Sequence, residues 1–541
     1  MPAPEVLHSL LDEAAADAPD RVALSSGTDS MTYSRLVTAT YTAARRLRHE
    51  GVRRGDRVVV STADPLTAAI AVHAASRAGA LFSVLHEQVR GVPLEHVLAD
   101  CEPAVMVTDD SGAAATAAAH GIRVLEPQVL RDQGEDPRPG HGKPGQGKPG
   151  QGKPVHGTPV HGTPVHGNRQ EPPGAGEPEP WSGPLPVDGA CLIYTSGTTS
   201  LPKAVVCTHQ QMLFAARAIQ SMLNYRADDV IHSPLPLSFD YGLYQVFLTF
   251  LARARLHLGS VAEAGPPLLR SLERSGATVL ASVPSVTDRL AWLVRRARNP
   301  PRLRLLTNTG AALDPGTISA LRAAVPTLSV QLMYGLTECK RTTIMPPDGD
   351  LVRPGSSGRA LPGTEVFVID DDGTRLPPGE VGQFVVRGPH VMAGYWRRPE
   401  LTAERFPRAE GLFPELRTGD YGRLDEDGYL YFTGRRDDLY KERGFRVSAT
   451  EVEAAARRVE GVTDAAVLTP GPRTGGRAVL TAVTGLDPSD VLDGMRGFIE
   501  EYKIPRRCVP VAALPTNSNG KVDRRAVADL ADVSVSTNRK E

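Results

Sequence analysis

Residues 194–203 read YTSGTTSLPK. Small hydroxyl residues and a glycine, closed by a lysine, make a loop whose backbone N–H groups can converge on an anion while an ammonium supplies the counter-charge. The spacing does not fit the GxxxxGK[ST] pattern of P-loop nucleotidases. A Ser/Thr-rich hairpin turn has the same composition, so the loop gains meaning only from its company. Residues 190–194, ACLIY, form a short apolar strand that delivers it.

Upstream of that strand, a helical pattern over residues 6–17 is followed by apolar bursts at 58–60, 66–78, 80–85 and 105–108. The alternation predicts βα units and a largely parallel sheet covered by helices. The most apolar run, 66–85, is interrupted by His73 and Arg77. A membrane span needs about 20 mostly apolar residues, so the run is expected to be a buried helix leading into a strand. The pattern stops near Asp132. Residues 142–166 are pentads, GKPGQ GKPGQ GKPVH GTPVH GTPVH, within a Pro/Gly-rich stretch of about 133–184. Such a composition buries too little apolar surface to offset ordering entropy and is expected to form a disordered loop. His141, His156, His161 and His166 could bind a metal weakly; a repeat expanded within a tolerant surface loop explains them more simply.

Downstream, strands are expected at 278–282, 303–307 and 329–334, with helices over 285–298 and 316–324 between them. Strands at 364–369 and 382–386, bounded by Gly, Pro and Asp, suggest an antiparallel or barrel-like region. Past Arg435 a small α+β unit follows, with helices over 449–458 and 489–502 and strands over 464–468 and 478–483. The expected fold is α/β: a large N-terminal lobe of βα units with parallel sheets and a small barrel-like region (1–434), and a small C-terminal lobe (435–541).

With 541 residues the chain exceeds what one core usually supports. A formal net charge of −1 argues against bulk nucleic-acid or membrane-surface binding. Five scattered cysteines without CxxC spacing imply reduced thiols and no structural zinc site. The acidic N-terminal segment lacks the charge and apolar core of a signal peptide, so a cytoplasmic location is expected.

Eight segments carry a family resemblance: TSGTTSLPK (195–203), SFDYG (238–242), NTGAAL (308–313), YGLTE (334–338), GYWRRPELT (394–402), RTGDYGRLDEDGYLYFTGRRDD (417–438), KERGFRVSATEVE (441–453) and PTNSNGKVDR (515–524). In this order they resemble the motifs of the acyl-adenylate-forming superfamily, which includes acyl-CoA synthetases, adenylation domains of nonribosomal peptide synthesis and firefly luciferase. The first 190 or so residues match only in their βα rhythm. The resemblance implies that a carboxylate attacks the α-phosphate of ATP, pyrophosphate leaves, and a thiol then takes the acyl group. Positioned donors and cations supply most of the catalysis in such a transfer.

By resemblance, Thr195, Ser196, Gly197, Thr198, Thr199 and Lys203 hold the β- and γ-phosphates; Ser200 stands where the family usually has a second glycine. Gly310, Ala311, Tyr334 and Gly335 belong to the nucleotide site. Thr337 contacts the α-phosphate, Glu338 holds Mg²⁺, Asp420 accepts from the ribose hydroxyls and Arg435 makes a second ribose or phosphate contact. Lys521 reaches the reacting carboxylate. Asp437 is the hinge about which the small, mobile lobe rotates between two half-reactions. Gly444 lines the pantetheine channel in the second state.

For the acid, Phe239-Asp240 matches amino-acid-activating members, where a buried carboxylate is paired with the substrate ammonium. Tyr241, Tyr244, Thr307, Thr309, Met333, Arg341 and Thr342 match acyl-pocket positions. Lys340 and Arg341 follow YGLTE at positions that, in some β-amino-acid-activating enzymes, lie near the far end of the substrate. Two accounts of this pair stay open: receipt of a second carboxylate, or pairing with a protein carboxylate or solvent. No GGxS phosphopantetheine site follows Lys521, so the thiol is expected from CoA or from a discrete carrier protein; Lys503, Arg506 and Arg507 are either contacts for it or equally a solvated face. An acyl-CoA synthetase for an amine-free acid is the alternative. A binding-only protein would need none of the lysine chemistry of Lys203 and Lys521, and nothing favours a luciferase-like oxygenase. The oligomeric state stays open.

Overall fold

The computed structural model describes residues 5–131, 183–195, 202–408, 413–435, 438–442, 445–516 and 522–537. The pentad stretch, Ser196–Thr199, Asp437, Gly444 and Lys521 lie outside the described residues.

The stretch 194–203 spans the end of a β-hairpin. Gly189–Thr195 pairs antiparallel with Lys203–Thr208, with Cys191 opposite Cys207 and Thr195 opposite Lys203. The hairpin belongs to a seven-stranded sheet ordered Gly394–Tyr395, Lys203–Thr208, Gly189–Thr195, Leu81–Val84, Arg57–Ser61, Val105–Thr108, Arg123–Leu125. From Gly189–Thr195 to Arg123–Leu125 the pairs are parallel.

The apolar run 66–85 is, as expected, a helix, Pro65–Ala78, followed by the strand Leu81–Val84. Asp64 caps the helix by accepting from the Leu66 N–H, Pro65 takes the first turn, and Gly79 ends it at φ +75°. Every residue from Leu66 to Ala78 is buried, because the helix lies between strands of both large sheets. Among the described residues no helix is long and apolar enough to cross a membrane.

The second large sheet has nine strands: Arg359–Ala360, Thr343–Ile344, Ser329–Tyr334, Leu305–Asn308, Val279–Ser282, Val230–Ser233, Arg255–Leu258, Val22–Ser26, Asp29–Thr32. Its central pairs are parallel. The helix expected over 285–298 is Pro284–Val294; the paired prolines at 300 and 301 disfavour helical geometry just before them. The antiparallel or barrel-like region is a four-stranded antiparallel sheet, Glu365–Ile369, Gly382–Arg387, Glu415–Leu424 and Leu430–Arg435.

The C-terminal unit has its own cores. Helix Ala449–Arg457 packs on strand Val462–Leu468, the edge of a three-stranded sheet with Val479–Thr484 and Cys508–Val511. The helix expected over 489–502 forms only at Pro488–Gly494, with 3₁₀ turns at Met495–Gly497 and Glu501–Lys503. Two glycines, Gly494 and Gly497, interrupt it, since glycine loses more backbone entropy in a helix than other residues.

Candidate active site

Adjacent parallel strands of the nine-stranded sheet end at one rim, where ligands of such sheets usually sit, and the candidate residues follow those ends. Beyond Ser329–Tyr334 the chain makes a compact turn. The Cys339 N–H donates to the Leu336 carbonyl (3.1 Å), Arg341 N–H to Cys339 (2.8 Å) and Thr342 N–H to Tyr334 (2.8 Å). Gly335 makes this possible: a Cβ there would lie 2.2 Å from the Lys340 carbonyl oxygen and 2.8 Å from Arg341 Cα. Lys340 closes the turn at φ +65°, a left-handed conformation that costs a non-glycine residue about 1–2 kcal/mol. Its ammonium donates to the Thr337 carbonyl (3.1 Å).

The middle of the turn faces the hairpin. Glu338 is buried, and its Oε1 accepts from the Tyr395 hydroxyl at 2.7 Å. The Lys203 ammonium lies 4.0 Å from the centroid of the same Tyr395 ring. Burial pulls the Lys203 pKa down, and the Glu338 carboxylate opposes it. Thr195 Oγ1 donates to the Lys203 carbonyl (3.4 Å). The second Glu338 oxygen has no partner among the described residues. A single hard oxygen beside a lysine suits Mg²⁺, which takes one or two carboxylates and completes its shell with water and phosphate oxygens; the donor set therefore fits that ion.

The start of the turn faces the antiparallel sheet. The Tyr334 hydroxyl donates to Asp420 Oδ2 (2.6 Å), and Arg435 Nε stands 3.3 Å from Asp420 Oδ1. Burial raises the Asp420 pKa, with Arg435 and Tyr334 pulling it back. The Tyr334 ring packs against Phe384 and Phe432, with centroids 6.0 and 5.9 Å away. An oriented carboxylate thus stands beside an aromatic wall. Gly310 follows strand Leu305–Asn308 at φ +94°, and the Ala311 carbonyl accepts from Asn308 Nδ2 (3.3 Å).

The end of the turn meets the helix Asp240–Ala252. Gly242 lets that helix start against its own approach loop, since a Cβ there would lie 2.4 Å from the Pro236 carbonyl oxygen. Asp240, in the first turn, is favoured by the helix dipole. The Tyr241 hydroxyl bonds Thr307 at its carbonyl (2.9 Å) and hydroxyl (2.6 Å). The Tyr244 hydroxyl is buried without a partner among the described residues. Thr309, Met333 and Thr342 are buried in the same region.

Sequence reasoning gave Asp240 the substrate ammonium as its partner; the fold also gives it Arg341, with NH1 3.8 Å from Oδ2. Arg341 stacks over the Tyr241 ring (4.5 Å) and donates to the Lys340 carbonyl (2.6 Å), while its Nε is buried without a partner among the described residues. Lys340 is only 1% exposed. Burial lowers its pKa, yet attraction from Cys207, Asp240 and Cys191 outweighs that and raises it overall, so Lys340 is charged. The two cations expected to act together therefore differ: Arg341 keeps an unspent donor, and Lys340 is enclosed.

Tyr395 received no role from sequence, although it lies in the quoted GYWRRPELT segment. It joins Lys203 to Glu338. We expect Tyr395→Phe to fold normally and to lower adenylation about tenfold through loss of one hydrogen bond to a charged group, with a raised requirement for Mg²⁺ in pyrophosphate exchange. An unchanged Mg²⁺ dependence would make Tyr395 a packing residue only.

The model of the AMP-binding enzyme family matches residues 11–396, and that of the AMP-binding enzyme C-terminal domain matches residues 451–521. The L-proline--[L-prolyl-carrier protein] ligase of Streptomyces coelicolor is 29% identical over 92% of each chain. The structure of VinN with L-aspartate is 36% identical, covering 80% of this chain and 99% of that one, with a TM-score of 0.65. ATP-bound MatB from Rhodopseudomonas palustris is 28% identical over 98% of this chain and 99% of its own, with a TM-score of 0.79. Other curated relatives are far longer: the chain spans 26% of the delta-poly-L-ornithine synthetase of Acinetobacter baumannii, to which it is 30% identical over 63% of its own length, and 21% of a dimodular nonribosomal peptide synthase of Bacillus subtilis.

Proposed function

The chain belongs to the AMP-binding enzyme family, and from that premise we propose that it is an ATP-dependent, AMP-forming ligase that activates an aspartate-like amino dicarboxylic acid and passes it to a phosphopantetheine thiol. One observation carries the substrate: Asp240 and Arg341 are buried 3.8 Å apart with Arg341 Nε unpartnered among the described residues. A buried guanidinium with an unmet donor calls for an acceptor, and a second carboxylate supplies one while the ammonium faces Asp240. Formal charge agrees. Asp240, Lys340 and Arg341 leave a surplus of one positive charge, and an amino dicarboxylate carries one net negative charge. The complex of VinN with L-aspartate, a relative 36% identical to this chain, supports the same class.

In this account a carboxylate oxygen bonds to the α-phosphorus as the bond to the bridging oxygen of pyrophosphate breaks. The hairpin loop and Lys203 hold the leaving phosphates, and Thr337 contacts the α-phosphate. Asp420, kept in place by Tyr334 and Arg435, orients the ribose. When bound, Mg²⁺ neutralises phosphate charge from its place at Glu338. A thiolate then attacks the acyl carbon and AMP leaves, after the C-terminal unit has turned about Asp437 to bring the Gly444 segment inward. Lys521 draws the reacting carboxylate and α-phosphate together. Lys521→Ala is therefore expected to reduce adenylation by at least about 10², as for loss of a group that stabilises transition-state charge, with ATP affinity nearly unchanged by calorimetry. Unaltered adenylation would remove Lys521 from the chemistry.

Titration calorimetry tests the substrate class. L-Aspartate is expected to bind at least about tenfold more tightly than succinate, which lacks the amine, or β-alanine, which lacks the second carboxylate. A second reading, an acyl-CoA synthetase for an amine-free acid, is favoured by the contact that already gives Asp240 a protein partner. Succinate binding as tightly as aspartate would select it.

A further inference from the structure

Many arginines of the larger part are spent on nearby carboxylates: Arg322 meets Asp348 and Asp350, and Arg353 meets Asp425 and Asp427. One face departs from this. On helix Pro284–Val294 and the segment after it, Arg289, Arg295, Arg296, Arg298 and Arg302 are exposed, and none has an ion pair among the described residues. Trp292 stands in their midst, 49% exposed. The Arg289 and Arg296 guanidiniums lie over its ring, 5.8 and 4.2 Å from the centroid, so a large aromatic surface is held in place at the solvent boundary. The one acid on this stripe, Asp288, accepts from Thr317 Oγ1 (3.0 Å).

The face is tied to the reaction site by its own helix. Thr287 Oγ1 contacts Asn308 Oδ1 (3.5 Å), and Val283, just before the helix, is the nearest neighbour of a Cβ placed on Gly310 (3.7 Å). A helix rises about 1.5 Å per residue, so Trp292 lies about 12 Å along the axis from Pro284, which follows the Val283 that borders Gly310.

We propose that the Arg289–Trp292–Arg296 face is the docking surface for an acidic carrier protein that presents the phosphopantetheine thiol to the acyl-adenylate. This rests on the thiol-transfer reading given above and names its partner. Two features select a protein over the nucleotide of CoA. An exposed tryptophan flanked by arginines has the composition of a protein–protein hot spot. The cations are also spread over residues 289–302, from the end of the helix into the segment after it. Against an acidic partner such a spread speeds encounter and rejects basic competitors.

The test loads L-aspartate from its adenylate onto a stand-alone, phosphopantetheinylated carrier protein of net negative charge, with free pantetheine and CoA as comparison acceptors. In the double variant Arg289→Glu/Arg296→Glu the KM for the carrier is expected to rise at least about tenfold and kcat to change less than about twofold, because lost surface charge acts on encounter and affinity. Transfer to pantetheine and pyrophosphate exchange should match wild type. Trp292→Ala should raise the carrier KM similarly, and Arg295→Glu/Arg298→Glu serves as a second charge reversal should the first pair fail to fold. Binding of the labelled carrier, followed by fluorescence anisotropy at low and high salt, needs no turnover. Carrier binding that the variants abolish, alongside a wild type that exchanges with no amino acid, would keep the docking face and overturn the substrate class. Unchanged loading and binding in the variants, or a rise confined to the KM for CoA, would overturn the docking proposal.

Discussion

Asp240→Asn is expected to lower kcat/KM for aspartate-like acids by about 10²–10³ in pyrophosphate exchange, the scale for removing one partner of a buried charge pair. The change is nearly isosteric, so helix Asp240–Ala252 should still start at the same place. The substrate ammonium loses its counter-charge, and Arg341, 3.8 Å away, loses the carboxylate that restrains it. Succinate, which brings two carboxylates and no ammonium, should therefore lose little or improve. The ratio of aspartate to succinate activity is the decisive readout. An equal fall for both acids would make Asp240 a structural carboxylate whose partner is Arg341 alone.

Gly335→Ala should be nearly as damaging for a different reason. Its Cβ would meet the Lys340 carbonyl oxygen at 2.2 Å, backbone against backbone, so no rotamer change can relieve it. The turn must open by about 1 Å, and displacements of that size in a reacting constellation cost about 10² in rate. Tyr334, Thr337, Glu338 and Arg341 all lie on this turn, so ribose, phosphate and acyl contacts should weaken together. Destabilisation of about 1–3 kcal/mol, as for overpacking, is expected in denaturant unfolding. Gly276→Ala is the control: Gly276 has a positive φ, which Gly335 does not, and nothing lies within 4 Å of its Cβ position. It should show backbone strain and unchanged exchange. Full activity in Gly335→Ala would mean that the turn adapts and does not hold the site together.

Much of this was legible in sequence because local patterns set it. The 66–85 run declared a helix and a strand buried between layers, and the capping Asp64 and terminal Gly79 fix its ends. The motif order located Tyr334, Asp420 and Arg435, which the fold brings within hydrogen-bonding or ion-pair distance although 86 residues separate Tyr334 from Asp420. What stayed hidden depends on contacts without a local signature. Lys340 adopts φ +65°, which lysine does not announce as glycine or asparagine does. The Asp240–Arg341 contact arises because the strands preceding them share one sheet rim. Tyr395 sits on the two-residue strand Gly394–Tyr395, too short for any period to show, so its link between Lys203 and Glu338 had no pattern to reveal it. The helix expected through residue 298 stops at Val294, and the exposed arginines after it read in sequence as a continuing helical face.

The most direct test is acid-dependent ATP–pyrophosphate exchange with wild-type protein, across α-amino, β-amino, amino dicarboxylic and amine-free acids. The strongest exchange is expected with an aspartate-like acid, and weak exchange once either the ammonium or the second carboxylate is missing. Exchange driven only by amine-free acids would contradict the roles given to Asp240 and Arg341, while leaving the chain an adenylate-forming enzyme.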